Sequence, residues 1–452
     1  MLGKKQQLLV DTIQRLMRRE ARTNIKRIFE KTHPADLATV LSRFDDNYKD
    51  YLFGLITPLS AQAEVLSEMI HDCASEFLAR RPIEEAVALL AEMESDDAAD
   101  IIGAFPEELA TEVLRKLEKE DDEVGELLRY GEDTAGGIMT PNFIALQEAV
   151  TAQDAIQTLR ENKDIDMAFY LYVVNDHQQL VGVLSLRKLV LVKPDAILKE
   201  IMEPNVVSVK LHDDQEDVAR LVARYNLLAI PVVDENNILE GIVTVDDVID
   251  VIREEATEDI LKMAGAGEEL LATGSVGTSV RTRFPWLLVG CLGELIGVLV
   301  ISPYIGQLQH HHYLALFMPI IMAMGGNIGT QSATVIVRGL ATGFVDHKRI
   351  GYLYWRELRV AIVLGISYGL MVGGVSLLFA DSSIIYGASI AISMALAMII
   401  AVSVGTLLPI VMARLHVDPA VSTGPFVTSA VDVLGLLVYF TVSATLLDLA
   451  GL

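Results

Sequence analysis

The chain has 452 residues, 52% of them apolar, and a formal net charge of −25. Residues 281–452 hold 8 of the 36 basic and 7 of the 61 acidic residues, a net of +1, which leaves −26 on residues 1–280. An acidic water-facing portion is thus joined to a nearly neutral apolar one. That balance excludes nucleic-acid binding, which needs dense Lys and Arg, and two cysteines, Cys73 and Cys291, make no disulfide framework.

The opening stretch, "MLGKKQQLLVDTIQRLMRRE", has basic residues but no apolar run, so it reads as a first helix rather than a signal peptide. Residues 1–130 read as helical throughout. "THPADLATVLSRF" and "ESDDAADIIGAF" share a polar cap followed by apolar residues at helical spacing, with helix starts expected at His33-Pro34 and Ser95-Asp96. No heptad persists, so the expectation is a stack of short amphipathic helices and not a coiled coil.

Residues 136–253 contain a repeat. "GGIMTPNFIALQEAVTAQDAIQTLR" matches "KEIMEPNVVSVKLHDDQEDVARLVA", and "YLYVVNDHQQLVGVLSLRKLV" matches "AIPVVDENNILEGIVTVDDVI". The Ile-Met-x-Pro-Asn elements start at Ile138 and Ile201, and Gly182 and Gly241 are expected to close the hairpins. Each unit reads as an extended segment, a helix, two short strands around a turn and a second helix. One such unit cannot bury its sheet alone, so the two are expected to pack as a pair.

Acid is concentrated at Glu92, Glu94, Asp96, Asp97 and Asp100, at Asp213, Asp214 and Glu216, and in "TVDDVIDVIREEATEDI", with Asp246, Asp247, Asp250, Glu254, Glu255, Glu258 and Asp259. Asp246, Asp250 and Glu254 are spaced at i+4, where like charges destabilise a helix. An ordinary solvated face would intersperse lysines, whereas this run has only Arg253. Two readings stay open: a plain acidic surface, or weak divalent-cation sites whose occupation neutralises the faces and draws the domains together. The following "LKMAGAGEELLATGSVGTSVRTRF" is helix-forming in its first part and joins this acidic region to the apolar one.

Five apolar segments follow, at about 286–305, 313–336, 360–380, 386–412 and 425–448, each able to cross a hydrocarbon core of ~30 Å. Arg281 and Arg283 precede the first, and Arg338, Lys348, Arg349, Arg356 and Arg359 lie between the second and third, with Arg414 between the fourth and fifth. The other links, "SPYIGQLQHHH" and "DSSIIYG", have no Lys or Arg. The basic side faces the cytoplasm, which places residues 1–280 inside and the C-terminus outside. The histidines at 310–312 read as solvated outer surface.

In the second segment Gly325, Gly326 and Gly329 flank Asn327, with Gln331 and Ser332 after them; tight helix packing and oxygens offered across an interface are both open readings. In the fifth, Thr428 and Asp432 are four apart and share a helix face, after Gly424 and Pro425. An Asp at such a depth costs about 2.5–3.5 kcal/mol on the mildest insertion scale unless it meets water, a cation or a partner. Glu294 in the first segment reads as a structural anchor or a protonated group. Hard oxygens without Cys or His clusters favour Mg2+ or Ca2+ over Zn2+ or Cu+. Two copies of Asp432 facing each other in a symmetric dimer would be satisfied by one divalent ion.

Residues 136–253 resemble a tandem pair of CBS domains, and the whole order resembles the MgtE family of bacterial magnesium channels and transporters. The resemblance rests on "HPADLA", "DDAAD", the CBS pair, "GGNIGTQ" at 325–331 and "VDPAVSTGPFVTSAVDVLGLLVYF" at 417–440. It implies a multidomain membrane protein: an all-α superhelical domain over 1–131, an α/β CBS pair over 132–256, a connecting plug helix over 257–280 and a five-helix membrane domain over 281–452. It further implies a homodimer in the bacterial inner membrane, with a pore lined by the second and fifth helices through Asn327, Gln331, Thr428 and Asp432. Regulatory Mg2+ is expected at Asp96, Asp100, Asp214, Glu216, Asp247, Asp250, Glu258 and Asp259. Some members bind ATP between CBS units, which points here to Thr244 and Asp247, since the first unit's equivalent end has Ser185 and Lys188. Some relatives carry Asn before the fifth-span proline, where this chain has Gly424.

The expected function is a Mg2+ channel rather than a pump, since no GxxxxGK[ST] occurs and a potential of ~100 mV contributes ~4.6 kcal/mol to influx of a doubly charged ion; no metal triad or nucleophile–base pair points to an enzyme. A coupled carrier using H+ or Na+ and a membrane-anchored metal or nucleotide sensor without transport are the alternatives.

Overall fold

The computed structural model describes residues 4–117, 123–161, 169–266, 276–342, 350–379 and 384–451. Lys348, Arg349 and the 267–275 part of the connecting segment lie outside the described residues. The chain divides into two compact units, Met1–Ile252 and Arg253–Leu452.

In the first unit, ten short helices among the described residues run from Lys4–Met17 to Glu123–Leu127. His33 caps one of them: its Nδ1 accepts from the Ala35 N–H at 3.3 Å, with Pro34 in the first turn where no N–H is needed. At the second expected start the cap is Glu94, one residue earlier, and Ser95 instead turns its hydroxyl to Glu123 at 3.0 Å. Leu41, Leu66, Leu90 and Ile102, spaced through these helices, are all at most 1% exposed. They share one apolar core with Val209, Ile230, Val232, Val243 and Val248, so the helical layers bury their inner face against the second repeat unit.

The repeat folds as two three-stranded sheets of the same topology. β1 (Ala145–Gln147) pairs parallel with β2 (Tyr170–Val174), which pairs antiparallel with β3 (Leu180–Ser185). β4 (Val209–Lys210), β5 (Ala229–Val233) and β6 (Leu239–Thr244) repeat the pattern, down to an irregularity at Val173/Val174 and Val232/Val233. Tyr172, Leu180, Leu239 and Ile242 form a separate core between the sheets.

Gly182 and Gly241 do not close the hairpins, contrary to expectation. They lie within β3 and β6, while Gln178 and Asn237 take the left-handed conformation at the turns, with φ of 62° and 65°. A Cβ at Gly182 would lie 2.3 Å from the sulfur of Met202, and one at Gly241 would lie 2.7 Å from that of Met139. The methionine of each Ile-Met-x-Pro-Asn element therefore packs on the hairpin of the other unit. This reciprocal exchange explains why the motif and the glycine recur together.

The second unit begins inside the helix Val245–Met263, whose last turn closes on Gly265 at φ +67°. The Ala266 N–H reaches the Leu261 carbonyl at 2.8 Å and the Gly265 N–H reaches that of Lys262 at 3.0 Å, a Schellman cap that needs glycine at its left-handed position. Among the described residues five helices are long and apolar enough to cross a membrane: Val276–Ile301, Tyr313–Ala341, Ile350–Ser376, Ile384–Arg414 and Pro425–Leu449. The third begins at Ile350 rather than near 360, so it takes in Arg356, Glu357 and Arg359. Glu357 is buried and accepts from Arg356 Nη2 at 2.8 Å and from Ser332 of the second helix at 3.3 Å, which lets the helix continue through a charged stretch.

Candidate functional site

The second, fourth and fifth membrane helices approach one another through glycine. A Cβ at Gly405 would lie 2.2 Å from the Gly329 carbonyl, and Cβ atoms at Gly325 and Gly329 would each lie 3.1 Å from Val431. Small residues allow this backbone contact, so close packing is one role of the "GGNIG" segment. Gly326 faces Thr428, whose hydroxyl is turned to the Gly424 carbonyl at 3.0 Å. Asn327 and Gln331 lie four residues apart on the exposed side of the second helix, and Thr428 is exposed on the fifth. Asp432, one turn beyond Thr428, is 8% exposed, and its Oδ1 is buried with no hydrogen-bond partner. A carboxylate oxygen left this way in an apolar helix is a strong acceptor waiting for a cation, water or proton. The side chain that bears on it is Glu294 of the first helix.

Gly424 also has a local reason. A Cβ there would lie 3.1 Å from the Met263 carbonyl, and Gly265 lies beside Trp286 and Pro425. The capped end of the acidic helix thus sits at the start of the fifth membrane helix, where a larger residue at 424 would push it away.

In the first unit, Asp96 and Asp247 come together. Burial pushes the Asp96 carboxyl up to about 8, helped by the charge of Asp247, and its Oδ1 is buried without a partner. Burial pushes Asp247 up to about 7 against the stabilising Thr244 hydrogen bond, with Asp246 raising it further. Asp97, raised chiefly by burial and then by Asp246 and Asp250, and Glu68, raised by burial and then by the charges of Asp250 and Asp97, complete the crowd. Glu68 was not singled out in the sequence, because an acid at a helix end carries no local signal.

Other expected residues are placed differently. Asp100 pairs with His71 at 3.7 Å. Asp214 caps the helix Gln215–Tyr225 by accepting from the Glu216 N–H at 2.8 Å, and Glu216 pairs with Arg220 at 3.4 Å. Thr244, 5% exposed, donates to Asp246 at 2.5 Å and also to Asp247. In the second unit Glu258 and Asp259 meet a residue the sequence reading missed, Asp418. The Lys262 ammonium bridges Glu258 at 2.5 Å and Asp418 at 2.7 Å. Burial pushes the Asp259 carboxyl up, and the Asp418 charge pushes it further. Among the described residues no three His, Cys, Asp or Glu side chains converge as a ready-made metal cage.

The model of the MgtE intracellular N domain matches residues 32–133, that of CBS domains 135–194 and 198–254, and that of the divalent cation transporter MgtE 318–442. The chain is 40% identical over 318 residues to the magnesium transporter MgtE of Bacillus subtilis, covering 70% of both chains. It is 39% identical over 330 residues to that of Thermus thermophilus, covering 72% of this chain and 73% of the relative. The crystal structure of the soluble part of a magnesium transporter superposes with a TM-score of 0.50 at 31% identity, covering 56% of this chain and 99% of the other. That of the cytosolic domain of the Mg2+ channel MgtE in complex with ATP gives 0.50 at 36%, covering 54% and 99%. The chain is a multi-pass membrane protein of the MgtE family, and its function is Mg2+ transport rather than catalysis.

Proposed function

We propose that the chain is a Mg2+ channel of the bacterial inner membrane, working as a homodimer with residues 1–280 in the cytoplasm and the C-terminus outside. Residues 1–131 and 132–256 act as the sensor, 257–280 transmits its state, and 281–452 conducts. Asp432 holds the ion, with Thr428, Asn327 and Gln331 offering neutral oxygens. The observation that carries this reading is the buried Asp432 oxygen without a partner in an otherwise apolar helix.

Cytosolic Mg2+ closes the path by neutralising the Asp96–Asp247 crowd, with Asp97 and Asp250 around it, and by acting at Asp100, Glu258 and Asp259. Asp214 and Glu216 are weaker candidates for ligands, being committed to a cap and an ion pair. The relative described with ATP supports a nucleotide site at the second CBS unit, near Thr244 and Asp247. Its Thr244 hydroxyl would have to leave its carboxylate partners to take part.

The test is the current carried by Mg2+ through the purified full-length protein in a planar bilayer while Mg2+ is raised on the side of the N-terminal domains. A large current that vanishes with rising Mg2+ is expected. Uptake without current would instead favour a coupled carrier, and neither would leave a sensor without transport.

A further inference from the structure

The first membrane helix lies unusually close to the fifth. Gly290 faces Pro425, Gly297 faces Leu436, and a Cβ at Gly293 would lie 2.4 Å from that of Ser429 and 2.5 Å from its hydroxyl. Such a stripe lets two backbones approach until side chains on the flanks meet. Glu294 follows Gly293 on one helix, and Asp432 stands one turn beyond Ser429 on the other. Glu294 is thereby the acid whose charge acts on Asp432. Asp432 is more than nine-tenths buried, and its Oδ1 has no partner. Glu294 is exposed on its helix, and two acids near each other repel unless something positive lies with them. Paired hard oxygens match a divalent cation better than a monovalent one.

We propose that Glu294 is a second carboxylate of the Asp432 cation site, contributed by the first helix, and that it sets the preference for divalent over monovalent cations. The proposal rests on the reading that Asp432 lies on the ion path, and it replaces the sequence expectation of Glu294 as an anchor.

The experiment uses full-length protein in planar bilayers. A K+ current is recorded without divalent ions, and Mg2+ is then added on the face opposite the N-terminal domains. Glu294→Gln is expected to raise the half-blocking Mg2+ concentration about tenfold, equivalent to about 1.4 kcal/mol, and Glu294→Asp to return most of the loss. If Glu294→Gln blocks like the parent while Asp432→Asn raises the half-block steeply, the proposal fails and the Asp432 reading stands. If Asp432→Asn also blocks like the parent, the reading fails and takes the proposal with it. Should Glu294→Gln not assemble, Glu294→Ala decides: a raised half-block supports the ion site, and an unshifted one returns Glu294 to the role of anchor.

Discussion

Asp96 and Asp247 in the first unit are half-buried among further acids, whereas Asp432 in the second is buried in an apolar helix with Glu294 as its acidic neighbour. In the first setting gathering the ionised carboxylates costs free energy, which protons or a cation would offset. In the second, glycine contacts bring the helices close around the acid. The comparison teaches that a buried carboxylate can serve as a conditional latch or as a fixed binding group, according to whether packing around it survives its charge. Removing each acid should therefore have different consequences.

The largest effect is expected at Asp432. Asp432→Asn should reduce Mg2+ flux into liposomes to the level of protein-free vesicles while the protein still elutes as the parent does. Normal flux in this variant would sink the pore assignment. Asp247→Ala should leave flux intact at low cytosolic Mg2+ and raise the Mg2+ needed for closure roughly tenfold, about 1.4 kcal/mol of lost coupling. An unchanged closing concentration would make the acidic crowd an ordinary surface.

The pH dependence sharpens the same contrast. Asp96 and Asp247 have values of about 8 and about 7 in the compact unit against an ordinary 3.8. A carboxyl raised in this way favours the compact form while protonated. The penalty on compaction is absent below the ordinary carboxylate range, grows as pH rises from about 4 and is complete above about 8. In Mg2+-free buffer, residues 1–252 of the full-length protein should lose resistance to proteolysis between about pH 6 and about pH 8. Mg2+ should restore it at the upper end. Resistance that is flat across this range without Mg2+ would contradict the latch.

The membrane helices, the repeat and the acidic runs were legible because each has a local signature: a run of apolar residues, a recurring motif, or like charges at helical spacing. Asp432 stood out for the same reason, as an acid in an apolar stretch. Glu68 and Asp418 did not, because their importance comes from partners distant in sequence, such as Asp250 for Glu68 and Lys262 for Asp418. The start of the third helix was missed because "RELR" reads as a water-facing link until Ser332 and Arg356 are seen to satisfy Glu357. Gly182 and Gly241 were correctly singled out for the wrong reason: a nearby hairpin explains a glycine, yet the space was needed by a methionine.

Lys262 offers the smallest and most discriminating test, because here the chain supplies its own cation to an acidic group. Its ammonium lies between Glu258 and Asp418, and although burial lowers its proton affinity, hydrogen bonds to both carboxylates hold it above the ordinary value. Asp418 uses its other oxygen to cap the turn at Ala420, at 2.8 Å, so the bridge ties the end of the acidic helix to the segment leading into the fifth membrane helix. The groups are about one-third exposed, with side chains at 29%, 36% and 36%. Water therefore screens them, and the bridge contributes on the order of 1 kcal/mol. Lys262→Met removes the cation between Glu258 and Asp418 and leaves both carboxylates near Asp259, on which Arg338 still acts. Amide exchange over residues 258–264 should then quicken about fivefold in Mg2+-free buffer, the factor matching about 1 kcal/mol. Added Mg2+ should slow it more than in the parent, because the ion now takes the place the ammonium held. Lys262→Arg should exchange as the parent does. Equal exchange in Lys262→Met and the parent, with and without Mg2+, would reduce the bridge to an incidental surface pair and leave the glycine contacts at Gly265 and Gly424 as what seats the helix end.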